Sequence, residues 1–273
     1  MSSPRDNQVR NVVITGASSG IGRRCALHLA EQGFQVFAGV RDARAGQELQ
    51  ELRCERLEPM FIDVTDQASI AAAVRELGSR PLHGLINNAG TALLGPVEFL
   101  PVARIREQFE VNYFGQIAVT QAFLPLLRAS GGRIVNMSSI SGRLAFPFAA
   151  PYAGSKYALE AFSDALRREL RRWKISVSII EPGNVKTAIW DKSFENSRAA
   201  QKEFPPAAWE LYGEALMKSR RGTSRMAGPD AVSRAVEHAL TASRPKHRYV
   251  VGRDARYYAM LSLLPDWLVD RFV

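Results

Sequence analysis

Tyr152 and Lys156 stand four residues apart in Pro151-Tyr-Ala-Gly-Ser-Lys-Tyr-Ala-Leu, at the front of a stretch that reads as a helix, so both side chains project from one face. A phenol is a poor acid or base near neutrality, with an unperturbed pKa of about 10, and a lysine ammonium held beside it favours the phenolate. A tyrosine tuned in this way can pass a proton to or from an alcohol oxygen. Tyr and Lys also fall four apart on many solvated helix faces, so the pair needs support from elsewhere in the chain. Thr15-Gly-Ala-Ser-Ser-Gly-Ile-Gly supplies a second constellation. Its glycines, Gly16, Gly20 and Gly22, make a turn through which backbone amides and a helix N-terminus can approach a pyrophosphate without Cβ obstruction. The plain alternative is a tight turn and nothing more.

The elements that must position these residues follow from hydrophobic periodicity. Val9 to Thr15 is a β-branched apolar run that empties into the glycine turn, after which Ile21, Cys25 and Leu29 mark a helical face closed by Gly33. Phe34 to Val40 is a second strand, Ala43 to Leu52 a weak helix, and Met60-Phe-Ile-Asp-Val a third strand followed by a helix with Ile70, Val74 and Leu77. Leu82 to Asn87 is the fourth strand. A long helical region with Val102, Ile105 and Phe109 on one stripe runs to about Arg128, before a fifth strand at Ile134 to Ser138. Leu159, Phe162, Leu166, Leu170 and Trp173 stripe the helix that begins with the Tyr/Lys pair, and Ile175 to Ile180 is a sixth strand. The alternation breaks down between about 184 and 226, then resumes with a helix at Asp230 to Ala242, a strand at Tyr249 to Val251 and an apolar tail over about 254–273. Strands that alternate with helices and read as near-continuous apolar runs specify an α/β chain: a doubly wound parallel sheet of about seven strands, helices on both faces, in a single domain over 1–273 with an inserted segment at about 184–226.

Bulk properties exclude several classes of function. At 273 residues and 46% hydrophobic content the chain can bury one large core. Cys25 and Cys54 make no disulfide framework, and His28, His83, His238 and His247 are scattered without ligand spacing, so no metal site is expected. No run approaches the length of a membrane span, which with the reduced cysteines points to the cytoplasm. The formal charge of +9 is spread out apart from Arg167, Arg168, Arg171 and Arg172 on one helix, and no basic stripe with interleaved aromatics calls for nucleic acid.

Thr15-Gly-x-x-x-Gly-Ile-Gly, Asn87-Asn-Ala-Gly after the fourth strand and Tyr152-x-x-x-Lys156 occur in this order and spacing. By these motifs the chain resembles the short-chain dehydrogenase/reductase family, over nearly everything from Val9 to about Val251 and closest in pattern to its hydroxysteroid and retinol dehydrogenase branch. The resemblance implies a Rossmann-type fold and a nicotinamide cofactor. It makes Tyr152 the catalytic acid/base, and Lys156 the residue that lowers the tyrosine's pKa and holds the nicotinamide ribose. Ser139 is similar to the family serine that hydrogen-bonds the reacting oxygen, with Ser138 and Ser141 as rivals. Asn112, in Val-Asn-Tyr-Phe-Gly, is similar to the fourth member, which keeps a water relay to the lysine in place; on its own it reads equally as a polar residue at a helix irregularity. Carried over in the same way, the cofactor groove takes Gly16, Ser18, Ser19, Gly20, Ile21, Gly22, Arg41, Asp63, Val64, Asn88, Ala89, Gly90, Tyr152, Lys156, Pro182, Gly183, Val185 and Thr187. Asp63 alone would be a cap for the next helix, and Pro182-Gly183 alone a turn.

An acidic residue at the end of the second strand would bond a ribose 2′-hydroxyl, whereas an arginine accepts a 2′-phosphate. Here the acidic position falls on Val40 and Arg41 follows, which favours NADP(H), although Asp42 next in line keeps NAD(H) open. Ile189, Trp190, Phe194, Phe204, Trp209, Leu211 and Met217, with Leu144, Phe146 and Phe148, would wall an apolar pocket for a bulky lipophilic alcohol or ketone, or else cover core and subunit contacts. The reading is therefore an oxidoreductase moving hydride between NADP(H) and a lipophilic secondary alcohol or ketone of hydroxysteroid, retinoid or similar type. A 3-oxoacyl thioester reductase and a non-catalytic NADP(H)-binding regulatory protein are the alternatives. The family implies a homodimer or homotetramer, and the tail reads as an amphipathic segment that rests on a membrane surface or folds onto its own domain, interrupted at Pro265.

Overall fold

The computed structural model describes residues 9–185, 197, 200–219 and 227–273. Seven strands form one parallel sheet: β1 (Asn11–Ile14), β2 (Gln35–Val40), β3 (Leu57–Phe61), β4 (Leu82–Asn87), β5 (Arg133–Met137), β6 (Ser176–Pro182) and β7 (Arg248–Val251), in the order β3-β2-β1-β4-β5-β6-β7. The order reverses direction between β1 and β4, and the crevice beyond the carboxyl ends of strands at such a switch point is where ligands bind in open α/β sheets.

Alternate side chains of the central strands enter two cores. Val12 and Ile14 pack with Cys25 and Leu29 of α1 (Gly20–Glu31), Leu49 of α2 (Ala43–Gln50) and Val232 and Val236 of a later helix, Pro229–Thr241. Val13 faces the other way, towards Ile70 and Leu77 of α3 (Gln67–Leu77), Phe123 and Leu127 of a helix at Gly115–Ser130, and Leu166 of a helix at Ala150–Glu169. Both faces are thus covered, as a buried parallel sheet requires.

The long fourth-to-fifth crossover is two helices, α4 (Val102–Phe109) and α5 (Gly115–Ser130), joined through one π turn at Glu110–Phe114. The stripe expected on α4 does not form: Val102 is 59% exposed and the buried residue of α4 is Gln108. α6 (Ala150–Glu169) carries Pro151 in its first turn, where a missing N–H costs nothing, and so opens two residues before Tyr152. β3 lies earlier than its apolar run, because it pairs only with β2, leaving Glu58 and Phe61 on its open side exposed and blurring the period. Residues 62–64 beyond it turn over the carboxyl end of the sheet.

Val185 and Ala227 form an isolated parallel bridge, so the chain leaves the sheet and returns to it at one place. Between them lies α7 (Pro206–Ser219); α8 (Pro229–Thr241) follows. The tail is two short helices, α9 (Arg253–Leu261) and α10 (Asp266–Val269), divided at Pro265; Leu261 and Val269 bury against Leu144. Among the described residues no helix is long and apolar enough to cross a membrane.

Candidate active site

The switch point is tied together by backbone and short polar side chains. Thr15, wholly buried after β1, accepts the amides of Asn88 and Ala89 at 3.0 Å each through Oγ1, and Asn88 Nδ2 donates back to the Thr15 and Gly16 carbonyls at 2.9 and 3.1 Å. Gly16 and Gly20 have φ of +67° and +59°, in the left-handed region that glycine enters freely. A Cβ on Gly22 would lie 2.2 Å from the Gly16 carbonyl oxygen. The glycines are therefore required by the turn itself, and they bring the N-terminus of α1 onto the floor of a cleft of about 450 Å³.

Tyr152, Lys156 and Ser139 meet in that cleft. Ser139 follows β5, takes the Ser141 amide at 3.2 Å and hydrogen-bonds Tyr152. Its rival Ser138 also lines the cleft, with its hydroxyl beside Gly142, where a Cβ would come within 2.9 Å of it, and Ser141 does not line the cleft. Lys156 is buried and donates from Nζ to the Met137 carbonyl at 2.8 Å. Burial pulls its ammonium down to about 8, opposed by the charge of Glu160 one turn on. Burial raises the Tyr152 pKa, and the Ser139 hydrogen bond opposes the rise. Lys156 Nζ lies 5.8 Å from the centre of the phenol ring, on the same side of α6.

Asn112 does not line the cleft. It sits wholly buried in the π turn, accepting the Thr91 amide at 2.8 Å and donating to the Thr91 carbonyl at 2.8 Å and to Ser155 Oγ at 3.0 Å. It thereby ties α5's entry to the strand end that carries Asn88, Ala89 and Gly90, and to α6.

Gly16, Ser18, Ser19, Gly20, Ile21, Gly22, Arg41, Asp63, Val64, Asn88, Ala89, Gly90, Pro182, Gly183 and Val185 all line the cleft, and Thr187 lies outside the described residues. Arg41 is exposed at the rim, whereas the carboxylate of Asp42 accepts the Ala45 amide at 2.8 Å and caps α2. Asp63 is not a helix cap: it accepts from Thr65, and Asp66 caps α3. Sequence reasoning missed the wall made by Arg104, Glu107 and Gln108 of α4 and Val111 of the π turn, which recur at helical spacing. The aromatic wall is not where it was expected. Phe204 packs on Phe99 and Trp209, Phe146 on Tyr258 and Phe148 on Tyr212, and none of these lines the cleft; Leu211 and Met217 are exposed, while Ile189, Trp190 and Phe194 lie outside the described residues.

Behind the site runs a buried ionic network that no local motif announces. Glu181, wholly buried in β6, accepts from Arg143 Nε at 2.9 Å and lies 3.3 Å from Arg248 Nε, which also reaches Glu160 at 3.1 Å; the other end of that guanidinium meets Asp164 at 3.0 Å. Burial, then repulsion from Glu160, push the Glu181 carboxyl up to about 7 against the pull of Arg143 and Arg248.

A parallel sheet with a glycine turn at its switch point and a tyrosine, lysine and serine gathered beside it defines a nucleotide-dependent oxidoreductase. The family model described as short chain dehydrogenase matches residues 10–198. Among curated relatives, the bovine (Bos taurus) 17-beta-hydroxysteroid dehydrogenase type 6 is 40% identical over 96% of this chain and 87% of its own. Retinol dehydrogenase 5 of Mus musculus is 38% identical over 95% and 86%. Among solved structures, a short-chain dehydrogenase from Streptomyces avermitilis superposes with TM-score 0.80 at 28% identity, covering 94% of this chain and 93% of that one. One from Burkholderia cenocepacia, in complex with NADP, gives 0.76 at 26% identity, covering 96% of each. The chain belongs to the short-chain dehydrogenase family and is a pyridine-nucleotide-dependent alcohol dehydrogenase.

Proposed function

We propose that this enzyme prefers NADP(H) and interconverts a lipophilic secondary alcohol and its ketone. The observation that carries the reading is the convergence of Ser139, Tyr152 and Lys156 in the cleft that the glycine turn opens. Ser139 Oγ orients the substrate oxygen, and Tyr152 Oη exchanges the proton with it. Lys156 holds the ribose hydroxyls, its Nζ fixed by the Met137 carbonyl; Asn112 keeps Thr91 and the relay towards that lysine in register. When bound, the nicotinamide supplies or takes up hydride at the carbinol carbon. The glycine turn and the α1 N-terminus receive the pyrophosphate, Asp63 and Val64 the adenine side, Asn88 to Gly90 the ribose side, and Pro182, Gly183, Val185 and Thr187 the carboxamide side.

Arg41 at the rim, with Asp42 engaged as a cap, supports the NADP(H) preference. The names of the steroid and retinol relatives support the substrate class. The same reading takes the chain as one domain with a substrate segment at about 184–226, working in the cytoplasm as a homodimer or homotetramer. Met260, Leu263, Trp267 and Phe272, all exposed on the tail beside Arg271, support peripheral contact of this segment with a membrane surface.

The test is a screen of NADPH and NADH with steroid, retinoid and 3-oxoacyl thioester carbonyls, followed by cofactor absorbance. Steroid or retinoid turnover with NADPH is expected, and Tyr152→Phe should cut kcat at least about 100-fold while cofactor binding is retained. Turnover of the thioester alone would reassign the substrate, and undiminished turnover by Tyr152→Phe would remove the tyrosine's role.

A further inference from the structure

Gln108 is 1% exposed on α4, one turn before Asn112, and it lines the same cleft as Tyr152 and Ser139. Its Oε1 accepts the Leu93 amide, which settles the orientation of the side-chain amide and leaves Nε2 as a donor. Nε2 is buried and finds no partner among the described residues. The nearby carboxylates face Arg104 instead, Glu107 at 3.0 Å and Glu203 at 3.9 Å. Leu93, to which Gln108 is anchored, packs with Leu100, Ala200, Ile105 and Phe204. A lone donor held in an apolar setting and stripped of water is costly unless something pairs with it. Gln108 lines the cleft, so a molecule bound there is the candidate partner.

We propose that Gln108 Nε2 is a second anchoring point for the substrate, donating to a neutral oxygen remote from the reacting carbon. The cleft then selects lipophilic molecules with two oxygens, one at the reacting end and one far from it, over those whose only oxygen is the reacting one. A rigid polycyclic skeleton with an oxygen at each end fits this requirement. A polyene with a single terminal oxygen leaves Nε2 buried and unpaired, and a site built to hydrogen-bond a group discriminates strongly against an analogue that lacks it. This rests on the oxidoreductase reading above and narrows its substrate class. Gln108 is a specificity-determining residue in it, not a participant in proton or hydride transfer.

The experiment compares a steroid oxygenated at both ends with the same skeleton carrying only the reacting oxygen, on the wild type, Gln108→Glu and Gln108→Met. Gln108→Glu, assayed at about pH 9 alongside the wild type so that its carboxyl is ionised, keeps an acceptor for the Leu93 amide and leaves no side-chain donor; Gln108→Met removes both, and thermal melts of the two variants report any structural loss separately. The wild type is expected to favour the doubly oxygenated steroid in kcat/KM by about 30-fold, through KM more than kcat. In both variants the ratio should fall to within about 3-fold. A wild type without preference, a preference that survives in Gln108→Glu, or a loss that falls on NADPH affinity would each overturn the proposal. If neither steroid is turned over, the oxidoreductase reading for lipophilic substrates fails by itself. Equilibrium binding of the two steroids to the NADPH-bound proteins then decides the role of Gln108 by the same ratio.

Discussion

Arg41 and Asp42 sit side by side and do different work. Asp42 accepts the Ala45 amide and opens α2, so its carboxylate is turned into the helix, while Arg41 stays at the rim of the cleft. A charge-assisted bond from guanidinium to a 2′-phosphate contributes about 1.5–3 kcal/mol. Arg41→Ala should therefore weaken NADPH by about 10- to 100-fold and NADH by less than about 3-fold, read by fluorescence titration of the two cofactors. Equal losses would mean that Arg41 is only a solvated loop residue. Residues such as these were legible because each belongs to a short local pattern: a glycine turn, a pair four apart, a strand end. The partner of Lys156 was not legible. Its Nζ goes to a carbonyl nineteen positions earlier in the chain, which no spacing reveals.

At the scale of elements, the turn between β1 and α1 is held by close approach as well as by φ. Gly22 packs against the Gly16 carbonyl so tightly that a methyl group has no room, and the obstacle is backbone. Gly22→Ala should cost about 1–3 kcal/mol and lower Tm by about 5 °C, with cofactor affinity falling further than stability because the displaced turn is the proposed pyrophosphate seat. Thermal melts with and without NADPH check this: a variant that melts lower yet keeps the full cofactor-induced rise in Tm would place the pyrophosphate elsewhere. Strand and helix existence followed from periodicity across the sheet. The failures have a common cause in one-sided or mixed environments. β3 is paired on one edge, and α4 buries a glutamine while exposing Val102, so hydrophobicity there does not track the inside of the molecule.

At the scale of the whole molecule, the Arg143–Glu181–Arg248–Glu160 network links the loop after Ser139, the β6 end before Pro182, the edge strand β7 and the helix of Tyr152. Its members are up to 105 positions apart, from Arg143 to Arg248, so only the assembled fold brings them together. Glu181 keeps its proton up to about pH 7 when folded and loses it near 4.5 when unfolded. Between those values the folded state binds more protons, so this residue's contribution to stability declines as pH rises through the window. Glu181→Gln does not titrate, and the Tm of wild type minus that of the variant should accordingly fall between pH 4.5 and 7; a difference that stays flat or rises would show the carboxyl ionised throughout. The π turn at Glu110–Phe114 has a wider consequence. One additional residue in a helical turn acts as a phase shift of roughly 100°, so α4 turns Arg104 and Gln108 to the cleft while α5 keeps Val119, Phe123 and Leu127 on the sheet. The two halves of one crossover are thereby separately mutable: what the enzyme accepts can drift along the first without disturbing what keeps it folded along the second.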